Sequence, residues 1–424
     1  MTDGDLSSRR RAVMGPGMRT SYERPLHAVS AEGVWITDVA GECHLDAYNN
    51  VAHVGHGRQE VVDAIARQAR LLNTNTRYLV GVVVEYASRV AGLFPGDLGV
   101  VIFANSGSEA NDLAWRIART VTNREGMVVT EHAYHGATAL TMATSPEETG
   151  LDALPPWVTS VPAPNLHRGD HAAGPEPGLA YGQAVGDAIE RLAGVGHLPA
   201  AFVCDTVFAS DGIFDSPSGY LATAYAQTRE AGGLCIADEV QAGFGRVGER
   251  LWGFAGHGVE PDIVTLGKPM GNGHPLAAVV TTPAIADAFA RRGYWFSTFA
   301  GNPVSAAAGM AVLDVMESEG LARQADRVGE HLRLGLKGMA GFHACISDVR
   351  GPGLFVGVDI AAGSGEPDPH RASAIVERMR EQRILIGRTG IHRNVLKIRP
   401  PLVFEEAHVD LLLEALEQSI VDSR

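Results

Sequence analysis

The sequence predicts an α/β fold built on a mostly parallel sheet, with a second and smaller domain. Helical periodicity separates several short apolar runs, as in Asp112–Thr120 and Gly219–Ala231. Many of the 50 glycines follow such runs, where an α/β chain turns from a strand into a helix. The runs are nearly continuous in apolar character, as strands covered on both faces are, and they are Val100–Ala104, Met127–Thr130, Ala201–Cys204, Leu234–Ala237, Ile263–Leu266 and Ala277–Thr281.

The length and the later part of the chain predict the second domain. A chain of 424 residues, 45% of them hydrophobic, can bury a large core. After Asn302-Pro303 a long stretch of helix formers indicates a connection between two domains, and Ile346–Ile360, Ile384–Arg388 and Val395–Arg399 predict the strands of a smaller sheet. The Pro-, Gly- and His-rich segment Asn165–Pro177 predicts a surface loop.

The composition argues against several classes of function. A net charge of −14 leaves no basic excess for nucleic acid or an anionic membrane surface, and Arg9–Arg11 is too short a basic run to change this. The first twenty residues lack the apolar core of a secretory signal, so we expect a cytoplasmic protein. The cysteines show no CxxC spacing, which favours reduced thiols packed in a core over a disulfide or a metal site; they are Cys43, Cys204, Cys235 and Cys345.

Two charged residues close neighbouring apolar runs. Lys268 follows Ile263–Leu266 and precedes a glycine-rich turn, although such a lysine alone is more often a solvated strand end. Asp238 closes the preceding run, and the carboxyl edge of parallel strands is where ligands bind. A buried carboxylate needs a capping role or a cationic partner, and a protonated pyridine nitrogen would be such a partner.

These residues and three further motifs resemble the class III pyridoxal-phosphate-dependent aminotransferase family, which has the aspartate-aminotransferase-like fold (fold type I). The resemblance runs from about Val34 to Phe404. It implies that Lys268 forms a Schiff base with pyridoxal 5'-phosphate and that Asp238 holds the pyridine nitrogen. It also implies a large cofactor-binding domain at residues 61–315 and a small domain at 316–424, which residues 1–60 join.

The three motifs imply the remaining cofactor contacts. The stretch N-S-G-S-E-A-N matches the family's phosphate loop, where Ser106, Gly107 and Ser108 lie at the start of a helix. Tyr134 matches the aromatic that stacks on the cofactor ring, with His135 beside it, and Gln241 matches a residue near the phenolic oxygen. Thr298, in F-S-T-F-A-G-N-P, matches a threonine that reaches the cofactor phosphate of the neighbouring subunit. The resemblance therefore implies at least a homodimer and leaves open a tetramer.

One departure from the family pattern indicates the reaction. Lys397 stands where members acting on 2-oxo acids commonly carry an arginine for the substrate carboxylate. A lysine is a compact point charge and suits a tetrahedral phosphate better than a planar carboxylate. The stretch Asp46–His56 also looks two residues shorter than in typical members. Together with L-N-T-N-T-R-Y-L (Leu72–Leu79), these features look most like the ethanolamine-phosphate phospho-lyase branch.

That resemblance implies elimination of phosphate from O-phosphoethanolamine, or from phosphohydroxylysine, with Lys268 as the base; O-phosphoethanolamine would give acetaldehyde, ammonia and phosphate. The residues expected to hold the substrate phosphate are Arg77 and Lys397, followed by His53 and Asn50. Arg399 is a further candidate because it is two residues from Lys397 along a strand. The alternatives are a class III aminotransferase acting on an ω-amine or an acetylornithine-like substrate, and a binding protein that keeps the cofactor without turnover. For Arg77, an ion pair on the surface or at the dimer interface is the alternative role.

Overall fold

A computed structural model describes residues 3–423 and contains three β-sheets with flanking helices. The strands are β1 (Ala28–Glu32), β2 (Trp35–Asp38), β3 (Cys43–Asp46), β4 (Val100–Ala104), β5 (Gly126–Thr130), β6 (Val158–Val161), β7 (Pro199–Asp205), β8 (Leu234–Asp238), β9 (Ile263–Leu266), β10 (Ala277–Thr281), β11 (Ile346–Arg350), β12 (Val356–Ile360), β13 (Ile384–Leu385), β14 (Gly387–Thr389) and β15 (Val395–Ile398). The helices are α1 (Asp3–Met14), α2 (Gln59–Leu71), α3 (Gly81–Ala91), α4 (Gly107–Thr122), α5 (Ala139–Met142), α6 (Pro146–Thr149), α7 (Pro177–Gly194), α8 (Tyr220–Glu230), α9 (Pro283–Ala290), α10 (Pro303–Ser318), α11 (Leu321–Ala340), α12 (Pro369–Glu381) and α13 (Glu406–Asp422).

The central sheet has seven strands in the order β4-β10-β9-β8-β7-β5-β6. Strand β10 runs antiparallel to β4 and β9, and the other pairs are parallel. Each predicted strand of the large sheet is present. Alternate residues of β7 pack against different clusters, Phe202 and Cys204 on one face and Ala201 and Val203 on the other. Because helices cover both faces, the strands carry continuous apolar runs, and the predicted α/β class is confirmed.

Two four-stranded sheets lie outside the central sheet. One is antiparallel with the order β11-β12-β15-β14, and the other has the order β1-β2-β3-β13. The expectation that Ile384–Arg388 lies in one sheet is wrong, because β13 pairs with β3 through Ile384 and Leu45 whereas β14 pairs with β15. The predicted segment Ile346–Ile360 is a hairpin that turns at Gly351, where φ is +107°.

The two ends of the chain meet in the smaller sheets. The backbone N–H of Leu45 donates to Arg383 O at 2.8 Å, and the Tyr22 hydroxyl donates to Ile386 O at 3.1 Å. Helix α10 packs against α2 and α3, and α11 packs against α13 and β11. The limits of the domains at residues 60 and 315 stay predictions.

Three further expectations concern a surface loop, the cysteines and the location of the protein in the cell. Residues 165–176 form turns and irregular structure, as predicted for a loop. None of the four cysteines is in a disulfide, but the expectation of core packing is wrong for Cys43, which is exposed at the start of β3. Among residues 3–423, none of the helices combines the length and the apolar character that a membrane span requires. The cytoplasmic location stays a prediction.

Candidate active site

A cavity of about 220 Å³ lies at the carboxyl ends of β7 and β8 and beside the start of α4. Eight of the nine residues predicted to contact the cofactor line it, and they are Ser106, Gly107, Ser108, Tyr134, His135, Asp238, Gln241 and Lys268. The exception is Thr298. The cavity is also lined by Asn111, Gly136, Asp205 and Val240, which sequence reasoning did not select. Asp205, like Asp238, is an acidic residue at the end of an apolar run, which is the sequence pattern that predicted Asp238 as a site residue.

Asp238 ends β8 and is held by four hydrogen bonds. Its Oδ2 accepts from Asn111 Nδ2 and lies beside His135 Nδ1, both at 2.8 Å, and its Oδ1 accepts from Val240 N at 3.1 Å and Thr265 Oγ1 at 3.3 Å. Burial of the carboxyl opposes ionisation, but the hydrogen bonds, that from His135 foremost, outweigh it and lower the pKa of Asp238. The site therefore keeps a buried negative charge.

Two polar atoms near Asp238 lack hydrogen-bond partners although they are buried. These atoms are Nε2 of His135 and Oδ1 of Asn111. Buried polar groups are nearly always paired, so unpaired ones in a cavity wall indicate a place where a polar ligand binds. The Asp238 carboxylate and these unpaired polar atoms in the cavity wall fit a ligand with a protonated ring nitrogen.

Lys268 projects into the cavity two residues after the end of β9. Protein surrounds the lysine on most sides, yet solvent reaches its side chain through the cavity. Burial and the charge of Arg399 lower the pKa of the Lys268 ammonium, against opposing effects of Asp238 and Asp205. A lowered pKa raises the fraction of free amine, the form that acts as a nucleophile or as a base.

The start of α4 forms another wall of the cavity. Ser106 caps the helix by accepting from Glu109 N at 3.2 Å. A Cβ at Gly107 would lie 2.8 Å from Val240 Cγ1, and a Cβ at Gly136 would lie 2.6 Å from Ser108 Oγ, so glycine at both places allows close packing around the helix end. The N-terminus of a helix presents N–H groups and the positive end of its dipole, which suits a phosphate group.

Lys397, Arg399 and Gln241 form a cluster that we call the anion cradle. Lys397 Nζ donates to Ala209 O at 3.1 Å and lies 3.5 Å from Gln241 Oε1, the oxygen that also accepts from Arg399 Nη1. Both cations are buried, and neither forms an ion pair with a carboxylate of the described chain. Burial and the neighbouring Arg399 hold the pKa of Lys397 well below its usual value. The cradle is therefore a buried, positively charged group that an anion would stabilise.

Glycines flank Lys397 on both neighbouring strands. Lys397 on β15 stands opposite Gly357 of β12 and Gly387 of β14. A Cβ at Gly387 would lie 2.2 Å from Cε2 of Tyr48, so glycine there makes room for the Tyr48 ring. The ammonium of Lys397 lies over the ring of Phe355, 5.5 Å from its centroid.

Asn50 and His53 do not line the cavity. Asn50 Nδ2 donates to Gln241 O at 3.1 Å, and His53 Nε2 lies 2.6 Å from Phe244 O. Burial and the nearby Arg246 lower the pKa of His53 to about 3, so its imidazole is neutral at physiological pH. Both side chains are engaged in contacts behind the cradle, of which only Gln241 lines the cavity, and direct contact of Asn50 and His53 with phosphate stays a prediction.

Arg77 and Thr298 lie on the surface of the chain, outside its own cavity. The Arg77 guanidinium sits 3.9 Å from the centroid of the Phe296 ring and donates to Tyr294 Oη at 3.2 Å. Among the residues described Arg77 forms no ion pair and has an aromatic contact instead, and an ion pair at a dimer interface stays a prediction. Contacts of Arg77 and Thr298 with cofactor or substrate stay predictions.

Comparison with known proteins identifies the family. The family model for class III aminotransferases matches residues 18–420. A Drosophila melanogaster protein described as alanine–glyoxylate aminotransferase 2-like is 41% identical over 92% of this chain and 81% of its own length. A Caenorhabditis elegans protein described as ethanolamine-phosphate phospho-lyase homolog 1 is 36% identical over 98% of this chain and 92% of its own length.

A solved structure of an Arthrobacter phospholyase in complex with phosphoethanolamine is 45% identical and superimposes with a TM-score of 0.94. The match covers 98% of this chain and 99% of that one. Similarity of this extent establishes the aspartate-aminotransferase-like fold and the dependence on pyridoxal phosphate. This chain belongs to the class III aminotransferase family of pyridoxal-phosphate-dependent enzymes.

Proposed function

We propose that this protein is a phospho-lyase that eliminates phosphate from O-phosphoethanolamine or a similar phosphorylated amine. The observation that carries the proposal is the anion cradle, in which Lys397 and Arg399 are buried without an ion pair to any carboxylate of residues 3–423. Two cations match a phosphate dianion better than a carboxylate, which carries one negative charge. The similarity to a phospholyase in complex with phosphoethanolamine supports the same assignment.

The chain's own residues have distinct roles in holding the cofactor. We assign Asp238 to the ring nitrogen, Tyr134 to the ring face, and the helix start at Ser106–Ser108 to the cofactor phosphate. Lys268 holds the cofactor covalently between turnovers. When bound, pyridoxal phosphate accepts the electron pair that remains after a proton is removed from the carbon next to the amine nitrogen.

Lys268 is the base in this proposal. Its Nζ, when not bonded to the cofactor, would take the proton from the carbon that bears nitrogen. Its lowered pKa keeps the amine unprotonated at a lower pH than the ordinary pKa of a lysine would allow. The same side chain is thus suited to both the attachment and the proton transfer.

Lys397 and Arg399 hold the leaving group. The carbon–oxygen bond breaks and the electron pair departs with phosphate, so negative charge grows on the phosphate oxygens. A hydrogen bond to a charged group contributes about 1.5–3 kcal/mol, and donors placed in advance are most effective in a buried site. Hydrolysis of the remaining two-carbon fragment gives acetaldehyde and ammonia.

The second candidate is an aminotransferase acting on an ω-amine or amino acid with a 2-oxo acid. The 41% identity to the Drosophila aminotransferase 2-like protein favours it. The retained Lys268, Asp238 and Gln241 argue against a binding protein without turnover.

Incubation of the holoenzyme with amine substrate alone separates the two reactions. A phospho-lyase releases inorganic phosphate from phosphoethanolamine through many turnovers without a 2-oxo acid. An aminotransferase stops after one turnover and resumes when a 2-oxo acid is added. Absence of phosphate release from both phosphoethanolamine and phosphohydroxylysine would overturn the phospho-lyase assignment.

We also propose a homodimer with each active site at the subunit interface. The exposed positions of Thr298, Arg77 and Phe299 support a surface that another subunit covers. Sedimentation of the holoenzyme tests this, since a monomer that retains full activity would contradict it.

A further inference from the structure

Arg246 is a fully buried arginine behind the anion cradle, outside the cavity. Its Nε donates to Asn50 Oδ1 at 3.0 Å, and its Nη1 donates to Leu354 O at 3.1 Å and to Pro400 O. Its Nη2 lies 3.4 Å from His53 Nδ1. One guanidinium thus joins three separate segments of the chain.

The partners of Arg246 are all neutral. Asp46, a nearby carboxylate, acts on Arg246 only through space, and its oxygens bind His56 Nε2 at 2.7 Å and Asn49 N at 2.9 Å. A buried charge without a counter-ion is costly, and apolar residues of similar volume are often as stable in such places. Stability of the fold therefore does not account for an arginine here.

The contacts of Arg246 lead to both sides of the cradle. Asn50, which accepts from Arg246, donates through Nδ2 to the backbone oxygen of Gln241. Pro400, whose oxygen also accepts from Arg246, follows Arg399 directly in the chain. Arg246 thus reaches the backbone of Gln241 through Asn50 and the backbone of Arg399 through Pro400. The side chains of Gln241 and Arg399 meet at Gln241 Oε1.

We propose that Arg246 is the positioning residue of the anion cradle and fixes the spacing between Arg399 and Gln241 that a phosphate dianion requires. The inference deepens the proposed function and rests on it. The fork of the guanidinium is the essential property, because its donors point in three fixed directions. A lysine offers one nitrogen and cannot reach Asn50, Leu354 and Pro400 together. The cofactor contacts of Lys268 and Asp238 do not involve Arg246.

The test compares Arg246→Lys with a matched control, Arg371→Lys, in the holoenzyme. Arg371 also donates to neutral acceptors, Ile420 O at 3.2 Å and Ser423 Oγ at 3.4 Å, but it joins α12 to α13 away from the cradle. The measurements are kcat and KM for phosphate release from phosphoethanolamine, inhibition by inorganic phosphate, and the absorbance band of the bound cofactor.

We expect Arg246→Lys to raise KM and the inhibition constant of inorganic phosphate by about 10- to 100-fold, the usual effect of removing a partner that orients a ligand-binding group. We expect kcat to fall as well, because the cradle holds the charge that grows on the leaving phosphate. The cofactor band should be unchanged, and Arg371→Lys should match the wild type. A normal KM and inhibition constant for Arg246→Lys would overturn the inference, as would an equal effect of Arg371→Lys.

Asn50→Ser provides an independent test if Arg246→Lys does not fold. It removes the link to Gln241 and leaves Arg246 bound to Leu354 and Pro400, so KM and the inhibition constant of inorganic phosphate should rise while the cofactor band is unchanged. An Asn50→Ser enzyme with normal KM would overturn the inference. If the wild type neither releases phosphate nor is inhibited by it, the proposed function itself fails, which is a distinguishable result.

Discussion

Replacement of Lys397 by methionine should make the protein more stable and the enzyme worse. The ammonium of Lys397 is buried without a carboxylate partner, so its removal relieves a desolvation cost. Its acceptors keep other donors, because Ala209 O also accepts from Thr389 Oγ1 at 2.8 Å and Gln241 Oε1 accepts from Arg399. Methionine also fills a comparable volume. We therefore expect a gain in the free energy of unfolding at the low end of the about 1–4 kcal/mol seen when buried ion pairs give way to apolar residues, because the lowered pKa of Lys397 limits the cost of burying it.

The same substitution removes one of the two cations for phosphate. A hydrogen bond to a charged group contributes about 1.5–3 kcal/mol, which corresponds to about 10- to 150-fold in affinity. KM for phosphoethanolamine should rise by this factor. Inorganic phosphate should raise the melting temperature of the wild type far more than that of the variant, because ligand stabilisation follows occupancy of the site.

Thermal melting with and without phosphate, together with phosphate-release kinetics, checks both halves of the prediction. Lys397→Arg is the control, since it keeps the charge and should keep most of the stabilisation by phosphate. A Lys397→Met protein that melts below the wild type without phosphate would refute the reasoning about burial. A variant that binds phosphate normally would refute the assignment of the cradle.

Three other predictions concern the cofactor cavity and its surroundings. Lys268→Ala should lose activity and the absorbance band of the covalently held cofactor, as spectroscopy of the purified protein will show. Gly107→Ala places a Cβ 2.8 Å from Val240 Cγ1, so we expect weaker cofactor binding by about 1–3 kcal/mol and recovery in the double variant with Val240→Ala, measured by cofactor titration. Burial raises the pKa of Glu239 from its ordinary value of 4.5 to about 7, so its contribution to stability is full below pH 4.5 and is lost as pH rises through 7. Denaturant unfolding should therefore show that the free energy of unfolding falls less between pH 5 and pH 8 for Glu239→Gln than for the wild type. An equal fall in both proteins would contradict the raised pKa.

The sequence by itself determined the large sheet and most of the cofactor cavity. Val100–Ala104, Ile263–Leu266 and Ala277–Thr281 are strands with the predicted limits. Asp238 and Lys268 lie at strand ends because a buried strand is marked by its own continuous apolar run, and the residue that ends the run is local information. Eight of the nine residues that the resemblance implied for the cofactor meet in one cavity.

The tertiary structure decided how the candidate substrate residues pack. Asn50 and His53 were candidates by position, but packing turns both toward contacts behind the cradle and leaves His53 neutral. Arg399 joined Lys397 because the regular strand places both side chains on one face. No pattern in the sequence predicted the role of Arg246, because its partners Asn50 and Pro400 are 196 and 154 positions away in the chain. Burial and hydrogen-bond partners at such separations depend on how distant segments pack, which no local pattern of residues records.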